Sequence, residues 1–195
     1  MKSLRLISLA VFFLIGGSLS ASGGEIYKFD PARSTIAFKV RQFLGTAKGR
    51  FSKFSGTIEL DREHPGQSSV VATIQVASID TGISKRDEHL RSDEFFNVAK
   101  FQEITFKSRA VKQTGANAGE ITGDLTMHGL TRPITLRVQL LGDPESLTKD
   151  PTSRWRVTTA PLKRSQFGLV FSRSAETVSM ISDDVSVDIE IEAKR

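Results

Sequence analysis

The sequence predicts an all-β protein, an antiparallel barrel of about eight strands with one short helix. Three observations carry that expectation. Apolar residues recur with period two from Ser34 onward, the segments between them are short and polar, and only one stretch has helical character. Short connections suit antiparallel neighbours, because parallel strands need long crossovers. A sheet of this kind closes as a sandwich or as a barrel. Strands longer than those of an immunoglobulin-type sandwich, and no Cys–Trp–Cys core, tilt the reading to the barrel.

The chain opens on residues 1–22, which read as a signal peptide. Lys2 and Arg5 precede an apolar run over 6–15, and small residues follow from Gly16 to Gly24. The run is about half the ~20 residues that a membrane-spanning helix needs. An exported, processed product, periplasmic or secreted, is therefore expected, with residues 23–195 as one domain that does not span the membrane.

The first strand places Ile36, Phe38 and Val40 on one face, alternating with Thr35, Ala37, Lys39 and Arg41. The same signal returns over 49–60, 68–79, 102–111, 120–127, 133–141, 155–162 and 177–193. The separators carry turn chemistry: His64-Pro65-Gly66, Gly115-Ala-Asn117, His128-Gly129 and Gly142-Asp-Pro144. The helix is predicted over 83–91, with Ser84 as N-cap and Glu88 near the capping-box position, and a second helical turn after Pro161. In the last strand Val185, Val187, Ile189 and Ile191 share a buried face. Ser186, Asp188, Glu190 and Glu192 share a face expected to meet water.

Composition excludes several functions. The 195 residues are 38% hydrophobic and 25% charged, the balance of a folded domain. No cysteine is present, which removes disulfides, thiolate metal sites and a cysteine nucleophile. The formal charge of +5 includes Lys2 and Arg5 of the leader, and no basic stripe or aromatic-basic alternation calls for nucleic acid. His64, His89 and His128 are too scattered for a metal signature, and no metal or other cofactor is expected. His128 reads as a turn residue that satisfies backbone groups. Ser84, Asp87 and His89 lie within six positions of one helix, too close along it to orient one another as a catalytic relay. No catalytic residue is assigned.

Phenylalanine is abundant, 13 in all with Phe12 and Phe13 in the leader, against one Tyr and one Trp. Inward positions of the predicted strands nominate Phe38, Val40, Phe51, Phe54, Ile74 and Val76 for the interior, followed by Phe106, Leu125, Met127, Leu136 and Val138. An eight-stranded barrel either fills its interior with side chains or keeps room for one small ligand. Phe95 and Phe96, after the helix, are placed to close one end.

The run Ala77-Ser-Ile-Asp80-Thr-Gly82, then Lys85-Arg-Asp-Glu-His-Leu-Arg-Ser92 and Phe95-Phe96, resembles the YceI family of periplasmic proteins. So do Gly49-Arg-Phe51-Ser-Lys-Phe54-Ser-Gly56, Gly123-Asp-Leu-Thr-Met-His-Gly-Leu-Thr-Arg-Pro133 and Arg164-Ser-Gln-Phe-Gly168, in the right order over 25–195. The resemblance implies a lipocalin-like barrel around a long apolar ligand, a polyisoprenoid or an isoprenoid quinone, without known catalysis. Many members carry histidine in a V-x-H pattern where this chain has Val40-Arg41-Gln42. A polar head at the cavity mouth needs donors. Arg41, Asp80, Arg86 and His89 are nominated there, with Asp80 and Asp87 bracing the segment. The protein is expected as a monomer or homodimer. An enzyme acting on a lipid, and a ligand-free module with a solid core, stand as the alternatives.

Overall fold

The structure is a computed structural model and describes residues 24–143, 145–170 and 181–195. Its strands are β1 (Glu25–Phe29), β2 (Thr35–Gln42), β3 (Gly45–Phe51), β4 (Phe54–Leu60), β5 (Ser69–Gln75) and β6 (Ile79–Asp80). After helix α1 (Ser84–Arg91) come β7 (Glu103–Gly115), β8 (Ala118–Met127), β9 (Leu130–Leu140), a short α2 (Ser146–Lys149), β10 (Thr152–Thr159), β11 (Leu162–Lys163) and β12 (Asp184–Lys194).

These pieces assemble into an antiparallel barrel of eight staves. Four staves are interrupted strands, the fourth being β10 and β11, which both pair with β12 (Val157 opposite Ile189, Leu162 opposite Val185). β1 and β2 lie end to end along the same edge of β12, with Phe29 opposite Ala193 and Thr35 opposite Glu190. β3 and β4 run on in the same way against β2 and β1, and β5 and β6 against β4 and β3. The staves then follow as a meander β7, β8, β9, β10, β12, and the β1–β12 pairing closes the ring. The predicted segments 49–60 and 68–79 each correspond to one stave with a break in it. β1 is a strand that the sequence reading did not assign.

The breaks are held by specific bonds. Residues 30–34 bulge between β1 and β2, where the Ser34 hydroxyl donates to the Asp30 carbonyl (2.7 Å) and accepts from the Glu192 amide (2.9 Å). At the second and third breaks the Lys53 amide donates to Ser78 Oγ (3.0 Å) and the Gln75 amide to the Lys53 carbonyl (2.9 Å). A bulge between Ser108 and Ala110 shifts the register of β7. Inward positions therefore change from Ile104 and Phe106 to Val111 and Gln113.

Two glycines let rings lie flat against the wall. A Cβ at Gly56 would sit 2.3 Å from the Phe29 ring, and one at Gly123 would sit 2.5 Å from the Lys107 carbonyl and 2.6 Å from the Phe106 ring. His128 (φ 51°) and Gly129 (φ 74°) make the tight β8–β9 turn. As expected of a turn residue, His128 bonds backbone, through Nδ1 to the Phe167 carbonyl (3.2 Å), and it stacks edge-on against Phe101.

Some local expectations need correction. Ser84 is the first helical residue of α1, and the N-cap is Ile83, which makes no side-chain cap bond. The start of the helix is held instead by Asp87, which reaches back to the Thr81 amide (2.9 Å) and hydroxyl (2.5 Å). The expected helical turn after Pro161 is present, as a 3-10 helix over Arg164–Phe167. In β12, Glu192 does not face water: it is 6% exposed, between Arg33 and Arg154 beside the closure. The predicted signal peptide, and residues 177–180 of the predicted last strand, lie outside the described residues.

Candidate functional site

Alternation sends one residue in two of every stave to the barrel interior, and the interior is not filled. A cavity of about 440 Å³ runs through it, within the range of small-molecule sites. Its wall is aliphatic and aromatic, including Phe29, Ile58, Val70, Ile121, Val157 and Ile189. All eight staves contribute to it.

One end is closed by aromatic packing. Phe38 and Phe51 line the cavity with ring centroids 5.7 Å apart. Behind Phe51 the ring of Phe96 stands edge-on at 6.3 Å, and Phe95 packs edge-on against Phe96 at 5.1 Å. Phe54, Val76 and Ile79 are buried in the same core.

The polar lining gathers at the other end, where the loop after β4, the β7–β8 turn and Leu147 of α2 meet. Asp61, Arg62, Ser68, Gln113 and Asn117 line the cavity there. Asp61 is buried and accepts the His64 amide (2.7 Å). Asn117 donates its amide to the Gly142 carbonyl (2.8 Å). The Arg62 guanidinium bonds through Nη2 to the Glu25 carboxylate, the Tyr27 hydroxyl (3.1 Å) and the Leu147 carbonyl. Its Nε is buried with no hydrogen-bond partner.

Glu25 also pairs with Arg195 (3.0 Å). Burial pushes the Glu25 carboxyl up, but the hydrogen bond from Tyr27 and the charges of Arg62 and Arg195 outweigh it and hold the group below its ordinary value. Tyr27, fully buried, is raised by burial above the usual phenol range.

Of the nominated wall residues, Phe38, Phe51, Ile74, Phe106, Leu125, Met127, Leu136 and Val138 line the cavity. Phe54 and Val76 are buried beyond its closed end. Val40 is half-buried between Ala47 and Val185 and is not part of the wall. The nominated polar residues are not in the wall and are bonded elsewhere or exposed. Asp80 pairs with Arg50 (3.1 Å) and accepts the Gly82 amide (2.9 Å). Arg86 donates to the Thr81 hydroxyl (2.8 Å) and carbonyl (2.9 Å), His89 pairs with Glu94 (2.8 Å), and Arg41 is exposed. With Arg91 donating to the Ala77 and Ile79 carbonyls, this motif is a clasp that ties α1 to β6.

The wall residues that the reading missed, such as Ile36, Val157 and Ile189, share faces with residues that it named or lie on strands that it assigned. Arg62, Gln113 and Asn117 sit in or beside turns, where no periodicity assigns a direction.

A closed antiparallel barrel with an apolar cavity and a sparse polar mouth is the architecture of a small-molecule binding protein. The chain belongs to the YceI family: residues 27–193 match the YceI-like domain. It is 38% identical to Protein YceI of Escherichia coli over 143 residues, 72% of this chain and 73% of that protein. It is 35% identical to a UPF0312 protein of Ectopseudomonas mendocina, over 86% of this chain and 88% of that protein. Burkholderia cenocepacia BcnA superposes with a TM-score of 0.75 at 25% identity, covering 85% of this chain and 99% of that one. A polyisoprenoid binding domain from Saccharophagus degradans, implicated in plant cell wall breakdown, shares the fold with a TM-score of 0.62 at 21% identity, over 86% of this chain and 97% of that one.

Proposed function

We propose that this protein binds a long isoprenoid lipid, a polyisoprenoid or an isoprenoid quinone, in the barrel cavity, and carries it through the periplasm without transforming it. The observation that carries the reading is the cavity itself, an apolar enclosure walled by all eight staves. A solid-core module would hold no such volume. Each methylene or methyl group moved from water into this wall contributes about 0.8 kcal/mol, so an isoprenoid tail gains affinity from area alone. The polyisoprenoid-binding relative in fold supports the same ligand class. Phe38, Phe51, Ile74, Phe106, Leu136 and Val138 are assigned to contact the tail. Export through a cleaved leader over 1–22 completes the proposal. No helix among the described residues is long and apolar enough to cross a membrane.

Organic extraction of the gently purified protein, followed by mass spectrometry, tests it. A long-chain isoprenoid at near-stoichiometric yield is expected. An extract no richer than that of an unrelated control, from protein that also fails to take up added isoprenoid, overturns the proposal. Conversion of added isoprenoid into a new product would favour the enzyme alternative.

A further inference from the structure

We infer that the end of the cavity at Arg62 holds the ligand's head, and that it selects an uncharged head bearing a hydrogen-bond acceptor, of the carbonyl kind, over a phosphate. The inference rests on the lipid-binding reading above and concerns which head that cavity admits.

The first observation is an unused donor. Arg62 lines the cavity, its Nη2 is committed to Glu25, Tyr27 and Leu147, and its Nε–H is buried with no acceptor. Guanidinium cannot shed its proton, so an N–H buried this way is costly until an acceptor reaches it. A carbonyl oxygen entering with a ligand supplies that acceptor. Gln113, on the facing β7–β8 hairpin, adds an exposed amide at the rim.

The second observation decides the charge of the head. Glu25 is ionised and shared between Arg62 and Arg195, and Asp61 lies buried in the wall beside them. Arg62 and Arg195 already share the Glu25 carboxylate, and Asp61, 3.7 Å from His64 Nδ1, adds a second carboxylate to the same end. A phosphate would bring one or two further negative charges into a partly dry site whose positive charge is already matched, and a charge buried without a counterion is strongly disfavoured. A neutral carbonyl takes the Nε–H bond with no such penalty. The tail then runs toward Phe38 and Phe51 at the closed end.

Dissociation constants for three probes of matched tail length test this: squalene, an isoprenoid-tailed benzoquinone and an isoprenyl monophosphate. The wild type should bind the benzoquinone about tenfold more tightly than squalene, the value of one charge-assisted hydrogen bond, and more tightly than the monophosphate. Arg62→Lys keeps a cation beside Glu25 and removes the Nε–H, so the benzoquinone-to-squalene ratio should fall to about one. Glu25→Gln leaves a cation unmatched, and should shift selection toward the monophosphate. This second variant reads the same selection independently of how well the lysine variant folds.

A wild type that prefers the monophosphate, or does not distinguish benzoquinone from squalene, overturns the inference and leaves the lipid reading standing. So does an Arg62→Lys ratio equal to that of the wild type. Failure to bind any of the three probes overturns the lipid reading, and this inference with it.

Discussion

Val138→Phe places a ring inside the proposed site without disturbing the barrel wall. Val138 lines the cavity from near the C-terminal end of β9, and its neighbour on β8 is Gly119, which offers no side chain to collide with. The exchange adds four carbons to the cavity side. A ligand that must leave an equal amount of hydrocarbon in water loses about 0.8 kcal/mol per group, about 3 kcal/mol in total, or roughly two orders of magnitude in affinity. The added ring enters empty volume, so the melting temperature should hold or rise. Titration with squalene, alongside thermal unfolding of both proteins, measures the two effects. Squalene affinity unchanged within about twofold, in a variant that melts like the wild type, would show that the cavity is not where the lipid sits.

Three further outcomes follow from the packing. Gly123→Ala sets a methyl group against the Lys107 carbonyl and the Phe106 ring, and should cost about 2 kcal/mol in urea unfolding; a neutral result would contradict the close approach. Asp87→Ala removes the 6%-exposed carboxylate that holds Thr81, and should cost about 2 kcal/mol while speeding hydrogen exchange across α1. Arg86→Ala should lower the melting temperature and leave the benzoquinone-to-squalene ratio unchanged; a collapse of that ratio would return the head group to the α1 end. For pH, Glu25 and Asp30 both lie below their ordinary values of 4.5 and 3.8, Asp30 through its bond from Lys194. Depressed carboxylates contribute stability that is complete above those values and is lost as pH falls below them. Melting temperature should therefore drop on acidification through that window, and a flat or rising profile would contradict it.

Much of this molecule was legible in the chain. Period-two alternation is a local property of the pleat, so Phe38, Phe106, Leu125, Leu136 and Val138 could be assigned inward without knowing their neighbours. Turn chemistry is local too, and it gave His128-Gly129 its place between two strands. The limits appear where alternation is interrupted. The breaks at 30–34, Lys53 and Val76–Ser78 depend on bonds to the adjacent stave, which is distant in sequence. Closure depends on Phe29 meeting Ala193 across almost the whole described chain.

The polar end of the cavity was decided by tertiary structure alone. Arg86 and His89 stood out because a helix displays its polar residues at regular spacing, yet their partners are Thr81 and Glu94, within the same clasp. Arg62 carries no pattern, lying one residue past Asp61 at the start of a loop. Its position follows from the loop after β4, the β7–β8 turn and α2 converging over one end of the barrel. Which side chains face inward is set by the period of a strand, and the sequence determines it. Which end of the barrel presents polar groups to the cavity is set by contacts between loops distant in sequence, such as Arg62 with Leu147 85 residues on, and only the folded chain determines that.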